Sequence, residues 1–242
     1  MSELINFRDF GGYPTKDGKH VVKGHFFRSG SYRDLTKKDI EYIQSLNIQN
    51  LHDFREEHEL DKKESHEEIA KKVHMISASA HLGGFEESED QAFTVLSSES
   101  MIEFYRQLPF NNPAYKNIFK VLQEPNATPY LHNCTAGKDR TGIATALIQF
   151  ALGIDENIIM LDYMKSMDAF EQVYQNEVRR LKDGRDESSL LHKMPGIVIM
   201  PSFLQAAYES IIEKYNSMSA YFEAEFGLNE SKLMELRVMY TE

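Results

Sequence analysis

Cysteine is almost missing from this 242-residue sequence, in which Cys134 is the single example. One thiol excludes an internal disulfide and a cysteine-based metal site, so Cys134 is either an inert buried residue or the chemical centre of the molecule. Basic charge is also scarce, with 27 Lys plus Arg against 38 Asp plus Glu and a formal net charge of -11. No broad cationic face is left for a nucleic-acid backbone or an anionic leaflet, and any phosphate must be gripped by a few local groups. Long apolar runs are absent too. The longest, 142–154, is interrupted by Thr145 and Gln149 and falls short of the ~20 residues that span a bilayer, which argues against stable membrane insertion. The opening Met1-Ser2-Glu3-Leu4 has neither the basic region nor the apolar core of a signal peptide. The expected location is therefore cytoplasmic, with export by a route lacking such a signal still compatible. Proline and glycine are too scattered to form a linker, and no 20–50-residue period repeats.

What remains is ordinary globular material, 41% hydrophobic and 27% charged, enough to build a core. We expect one domain over 1–242, whose residues 155–242 form a helical tail or lid. Gly11-Gly12 and Lys16-Asp17-Gly18 before Val21-Val22 predict a hairpin, and His25-Phe26-Phe27 a strand. Thr36 and Asp39 have capping-box spacing ahead of Ile40, Ile43 and Leu46, which predicts a helix. Residues 48–54 predict a strand ending at Asp53. The charge-rich stretch 56–90 predicts solvated helix and loop. Residues 101–124 predict two helices around a break at Pro109–Pro113. Pro129 to His132 reads as a strand, Thr141 to Leu152 as a buried helix, and 158–181, 201–226 and 230–239 as helices. The fold class is thus α/β, a mainly parallel central sheet flanked by helices with a C-terminal helical extension.

Between that strand and that buried helix the chain reads His132-Asn133-Cys134-Thr135-Ala136-Gly137-Lys138-Asp139-Arg140-Thr141-Gly142. A strand that feeds a short loop into a helix aims successive backbone N–H groups at one point, and the helix N-terminus adds partial positive charge. A thiol at that point is favoured as thiolate by the same donors that hold a phosphate oxygen, so Cys134 is the candidate nucleophile. Arg140 offers a planar two-pronged donor for the equatorial oxygens of a phosphoryl group. The amides of Thr135, Ala136, Gly137 and Lys138 complete the cradle, and the Lys138 side chain is either a direct contact to substrate phosphates or a solvated loop charge. The positions argue against a nucleotide P-loop, because His132 and Asp139 stand where it needs Gly and Ser or Thr.

The Cys-x-x-Gly-Lys-Asp-Arg-Thr pattern resembles the bacterial members of the cysteine-dependent protein tyrosine phosphatase superfamily. The segments Asn6-Phe7-Arg8-Asp9-Phe10-Gly11-Gly12, Phe27-Arg28-Ser29-Gly30, Asp53-Phe54-Arg55 and Pro201-Ser202-Phe203-Leu204 extend the resemblance over most of the chain. It implies hydrolysis of phosphotyrosine, with phosphoserine, phosphothreonine and, through Lys138, phosphoinositides as further substrates, on a phosphorylated protein or a phosphoinositide partner. It implies no cofactor and no metal. Two departures stand out. Asn133 occupies the place where most of the superfamily has His before the nucleophile, and there it can hydrogen-bond the loop but carry no charge. The absence of Trp rules out the Trp-Pro-Asp acid loop of the eukaryotic enzymes. The general acid must then be another carboxyl, and the resemblance favours Asp139 over Asp53, which stands at a strand C-terminus and has pairing with Arg55 as its bland alternative. Thr141 is expected either to donate to the thiolate or to cap the helix.

Arg8, Asp9 and Arg28 are expected to form an ion network near the site, with Arg28, Arg55 and Asp53 as accessory groups. His20, His25, His52, His58, His66, His74, His81 and His192 have no metal-ligand spacing and read as surface or turn residues. Ile158, Leu161, Met164, Met167, Phe170, Val173 and Leu181 share a helical stripe, either core packing or the adaptable underside of a lid. A catalytically silent phosphate-binding module on the same loop is the alternative from another class. A thiol-redox or arsenate-reducing protein would need a resolving thiol, which this chain lacks.

Overall fold

A computed structural model of the chain describes residues 4–60, 69, 73–78, 97–182 and 198–242. Its strands are β1 (Arg8–Asp9), β2 (Phe26–Ser29), β3 (Asn50–Asp53), β4 (Val73–Met75) and β5 (Tyr130–Asn133), in the sheet order β1-β2-β5-β3-β4. All neighbours are parallel except β1 on β2. The three central strands share a pattern: each closes on two buried polar residues, after two apolar ones in β2 and β5 and after Asn50 and Leu51 in β3. In register, Arg28, His132 and His52 lie side by side, followed by Ser29, Asn133 and Asp53. Burying polar side chains is costly unless each finds a partner. A polar band at the carboxyl edge of an apolar sheet therefore marks where function replaces packing, and that edge is where parallel sheets carry their sites.

Alternation along the strands divides the core in two. Phe27, Leu51 and Leu131 face one side and pack with Ile43 of α1 (Lys37–Ser45). Phe26, Phe54 and Tyr130 face the other, against a larger helical layer. That layer comprises α2 (Ser98–Gln107), α3 (Pro113–Leu122), α4 (Arg140–Ala151), α5 (Glu156–Met164), α7 (Pro201–Tyr215), α8 (Met218–Phe226) and α9 (Glu230–Tyr240), with α6 (Phe170–Lys182) lying apart from it. Helix α4 is the centre of the layer and is buried along nearly its whole length. Buried tyrosines fasten the outer helices: Tyr221 donates to the Pro109 carbonyl and Tyr240 to the Leu122 carbonyl, both at 2.8 Å.

Several expectations need correcting. The 11–22 hairpin forms but without regular strands: the Gly12 amide donates to the Val21 carbonyl, Val21 to Tyr13 and Thr15 to Lys19 around a Pro14–His20 bridge, and Val21 also bridges to Thr241. The acidic stretch contains β4, a short edge strand held by β3; residues 61–68, 70–72 and 79–90 of that stretch lie outside the described residues. The stretch 158–181 is two helices, separated by a tight turn at Lys165–Met167. Its apolar stripe is accordingly not one face: Ile158 and Met164 pack on the core, whereas Leu161 is 66% exposed. The side chain of Leu181 is outside what the structure describes. Residues 201–226 break at Asn216, whose φ of 63° ends α7, and Ser217 caps α8 by accepting from the Ala220 amide. The helices from 201 onward pack into the main core. Among the described residues of the proposed lid, α6 touches the loop region through Phe170, Val173 and Tyr174, which pack with Ile5 and Ala136, and α5 reaches it through Asp162 and Tyr163. His52 is no surface residue either; it is buried in β3 against Tyr130 and Asn117.

The capping box of α1 is fully formed. Thr36 Oγ1 accepts from the Asp39 amide, and Asp39 Oδ2 accepts from the Thr36 amide and hydroxyl. Thr36→Ala should therefore lower stability by about 1 kcal/mol in denaturant unfolding, and Thr36→Ser should recover most of it. Equal losses in both variants would mean that the methyl group, not the cap, is what matters.

Candidate active site

The loop 134–139 leaves β5 at the polar edge and enters α4. Its shape is fixed from behind. Gly137 has φ +67°, and a Cβ there would stand 2.6 Å from the backbone of Ser29 and Gly30, so the loop lies directly on the end of β2. The Gly137 carbonyl accepts from Arg28 Nη2 and from Asn6 Nδ2, each at 2.7 Å, and the Thr135 carbonyl accepts from the Ser31 amide at 3.0 Å. In a trans peptide the carbonyl and the following N–H point in opposite directions. With these two carbonyls turned into the protein, the amides of Ala136 and Lys138 are turned the other way, and neither has a protein acceptor among the described residues. The sequence expectation of an amide cradle thus acquires a mechanism: the cradle is made by pinning its carbonyls.

Cys134 is 2% exposed, at the floor of this loop. Arg140, in the first turn of α4, is clamped by a residue that spacing did not reveal. Its Nη1 and Nη2 donate to the two oxygens of Glu59 at 2.7 and 2.6 Å, and Nη1 also donates to the Phe54 carbonyl at 3.2 Å. Thr135 Oγ1 donates to the same Glu59 at 2.9 Å. Burial opposes the charge on both partners, but their pairing prevails: Glu59 is drawn down to about 2 and Arg140 is raised above its ordinary value. The fork–fork geometry leaves Nε–H of Arg140 without a protein acceptor among the described residues.

Asp139 precedes α4 without capping it. Its Oδ1 accepts from Tyr105 Oη at 2.6 Å and from Lys138 Nζ at 2.8 Å. Lys138 is only 3% exposed, so its ammonium is turned onto Asp139 and not outward toward a ligand. Tyr105 in turn accepts from Tyr163 at 2.8 Å. Asp53, the other candidate acid, is sealed. Its carboxylate takes Arg55 Nε and Nη2 and the Arg55 amide, and neither residue is more than 1% exposed.

Behind the cradle, Asp162 gathers Arg8 at 3.1 Å, Arg28 at 3.6 Å and Tyr13 at 2.9 Å. Burial and the like charge of Arg8 push Arg28 down to about 9, with Asp162 and Cys134 acting in the opposite direction. The network expected around Arg8 and Arg28 therefore closes on Asp162. Asp9 stands outside it and accepts from the amides of Gly11 and Gly24. His132 Nε2 lies 2.9 Å from Thr145 Oγ1, which donates to the Thr141 carbonyl. Burial holds His132 well below its ordinary value, hence neutral. The side chain of Asn133, expected to bond the loop, makes no hydrogen bond among the described residues, and neither does the buried hydroxyl of Thr141. Thr141 is thus not a cap.

Glu59, Asp162, Tyr105 and Tyr163 were missed by motif reading. Two of them left faint signals: Glu56 and Glu59 have capping-box spacing, and Asp162 interrupts the apolar run Ile158–Leu161. The two tyrosines left none beyond a place on a buried face. Among the described residues, no group of three or more His, Cys, Asp or Glu could hold a metal ion, and no helix is long and apolar enough to cross a membrane.

A model of a family described as the tyrosine phosphatase family matches residues 1–242. A Cupriavidus necator protein assigned as a tyrosine-protein phosphatase is 26% identical over 95% of this chain and 84% of its own length. The triple specificity protein phosphatase PtpB of Mycobacterium tuberculosis is 28% identical over 61% of this chain and 56% of its own. Among solved structures, the catalytic core of the PP-IP phosphatase SIW14 from S. cerevisiae aligns over 81% of this chain and 93% of its own at 14% identity, with a TM-score of 0.40.

Because the folded-state value of Glu59 is depressed, the contribution of its pair with Arg140 is complete above about pH 4.5 and is lost as pH falls toward about 2. The melting-temperature gap between the wild type and Glu59→Gln should therefore narrow across that window. A gap of constant size from neutral to acid pH would show that the pair is not linked to folding.

Proposed function

Because the chain belongs to the tyrosine phosphatase family, we propose that it hydrolyses phosphomonoesters, phosphotyrosine foremost, through a phosphocysteine on Cys134. The observation that carries this reading is the loop itself, where pinned carbonyls free the amides of Ala136 and Lys138 beside a buried thiol and a clamped arginine. In the first step Cys134 Sγ attacks phosphorus in line, and an S–P bond forms as the ester O–P bond breaks. Negative charge on the three equatorial oxygens is met by the loop amides and by Arg140, whose orientation Glu59 fixes before substrate arrives. Asp139 gives its proton to the leaving oxygen. In the second step Asp139, now a carboxylate, takes a proton from water as the water oxygen attacks phosphorus. The S–P bond breaks, phosphate leaves and the thiolate is restored. Thr141, whose buried hydroxyl has no other partner among the described residues, is the donor we assign to the sulfur. Asp53 and Arg55 are assigned a structural role, supported by their complete burial.

Further substrates in this reading are phosphoserine, phosphothreonine and phosphoinositides; the relative PtpB, named for triple specificity, supports that breadth. A cytoplasmic location belongs to the same reading, since a lone nucleophilic thiol without a resolving partner is best kept in a reducing compartment. Phosphate release distinguishes this reading from a silent phosphate-binding module.

The test is turnover of a small aryl phosphate in the presence of a chelator, followed by a panel of phosphopeptides and phosphoinositides. Turnover should persist with chelator and vanish in Cys134→Ser, which should still bind inorganic phosphate. Full activity in Cys134→Ser would overturn the mechanism. Asp139→Asn should slow alkyl phosphates by roughly 100-fold or more while sparing aryl phosphates with good leaving groups, whose oxygen needs little protonation. That pattern appearing in Asp53→Asn instead would move the acid to Asp53.

A further inference from the structure

The acid of the proposed mechanism does not stand alone. Tyr105 comes from α2, Tyr163 from α5 and Asp139 from the start of α4, and their polar atoms form one line: Tyr163 Oη at 2.8 Å from Tyr105 Oη, and Tyr105 Oη at 2.6 Å from Asp139 Oδ1. The direction of these bonds follows from counting protons. Oδ1 accepts whether the carboxyl is ionised or carries its proton on Oδ2, so Tyr105 donates to it. Its single proton is then used, and in the contact between the two hydroxyls Tyr163 must be the donor. Tyr163 thereby fixes the rotation of the Tyr105 hydroxyl, and Tyr105 together with Lys138 occupies Oδ1 of Asp139.

We propose that Tyr105, aligned by Tyr163, is a positioning residue that holds Oδ1 of Asp139 so that Oδ2 is the oxygen presenting the proton to the leaving group. The proposal rests on Asp139 being the acid. Packing alone does not explain the hydroxyls. The Tyr105 ring is fully buried against Phe203 and Phe104, a setting in which phenylalanine would serve and a hydroxyl is a liability unless it is bonded. Burial, reinforced by Asp139 and Tyr163, keeps Tyr105 protonated far beyond the usual tyrosine range, so it remains a donor throughout turnover. The fold also makes room for the arrangement. Gly142 lies in the first turn of α4, and a Cβ there would come within 3.1 Å of Cδ2 and Cε2 of Tyr163. A side chain there would need the ring to give by a few tenths of an ångström, so glycine lets α5 bring the ring against the loop's helix without that shift, which gives Gly142 of the loop motif a physical role.

A hydroxyl that merely tied α2 to α4 would affect stability, or slow every substrate alike. One that aims an acid acts where protonation matters. The experiment therefore measures kcat and KM for a series running from activated aryl phosphates to an alkyl phosphate, in the wild type, Tyr105→Phe, Tyr163→Phe, the double variant, Asp139→Asn and Asp139→Asn with Tyr105→Phe. Tyr105→Phe should lower kcat about tenfold on the alkyl phosphate and under about twofold on the most activated aryl phosphate, with KM unchanged. Tyr163→Phe should show the same trend at smaller size. The double variant should be no slower than Tyr105→Phe alone, because the two groups act in series. In the Asp139→Asn background, Tyr105→Phe should add no dependence on the leaving group. A uniform slowing across the series, an unchanged alkyl rate in Tyr105→Phe, or additive losses in the double variant would each overturn the proposal while Asp139→Asn keeps its own dependence. Loss of that dependence in Asp139→Asn itself would instead strike the acid assignment, and the proposal with it. Should Tyr105→Phe unfold, Tyr163→Phe carries the same test, since it leaves the bond to Asp139 in place and alters only its alignment.

Discussion

Everything at this site depends on one carbonyl oxygen, that of Gly137. Held from two sides by Arg28 and Asn6, it fixes the plane of the peptide that follows and so the direction of the Lys138 amide. A loop free to rotate that plane would present a carbonyl to an incoming phosphate and repel it. Arg28 can do this only because it is buried at the polar end of β2, and it tolerates burial only because Asp162 stands opposite it. Asp162 comes from α5, and the Gly137 backbone can rest on Ser29 only because it carries no Cβ. A single hydrogen-bond acceptor thus links the β1–β2 edge, the nucleophile loop and the helix that follows α4.

The same logic explains how a chain with a net charge of -11 can build an anion site. Among the described residues, the cations at the loop are matched to particular carboxylates: Arg140 to Glu59, Lys138 to Asp139, Arg55 to Asp53, and both Arg8 and Arg28 to Asp162. Because Asp162 serves two arginines, the set retains a small positive excess, and the rest of the attraction for a phosphate dianion must come from oriented amides and the start of α4. Such a site draws phosphate at short range without a basic surface, in keeping with the acidic composition.

What was legible in the sequence follows the range of the interactions involved. The loop could be read because its chemistry is packed into consecutive positions, and the strand and helix beside it follow from local patterns; the capping box of α1 was readable for the same reason. Glu59 was not, because its function depends on the return of residues 57–59 over Arg140, 81 positions away in sequence. Asp162 looked like an interruption of an apolar helix until Arg8 and Arg28 were placed against it. The stripe from Ile158 to Leu181 misled because it continues in sequence through a turn that redirects the chain, and periodicity carries no information about that turn. The strand β4 was hidden by its acidic surroundings: an edge strand three residues long is set by its neighbour more than by its own composition.

This division also explains how the reactive groups and the core coexist. Cys134 belongs to the same apolar cluster as Phe54, Tyr115 and Ile143, and Tyr105 is a core residue whose ring packs while its hydroxyl orients. Low-polarity surroundings strengthen each remaining charge interaction, provided none is left unpaired. The thiol, the amides, the arginine and the proposed acid Asp139 therefore sit on one short segment between β5 and α4. The groups that aim them arrive from β2, the turn at Glu57–Glu59, α2 and α5. Placing reactive atoms on one element and their supports on several makes the geometry depend on the packing of the whole domain, so a displacement of α5 alone would reach the loop through both Asp162 and Tyr163.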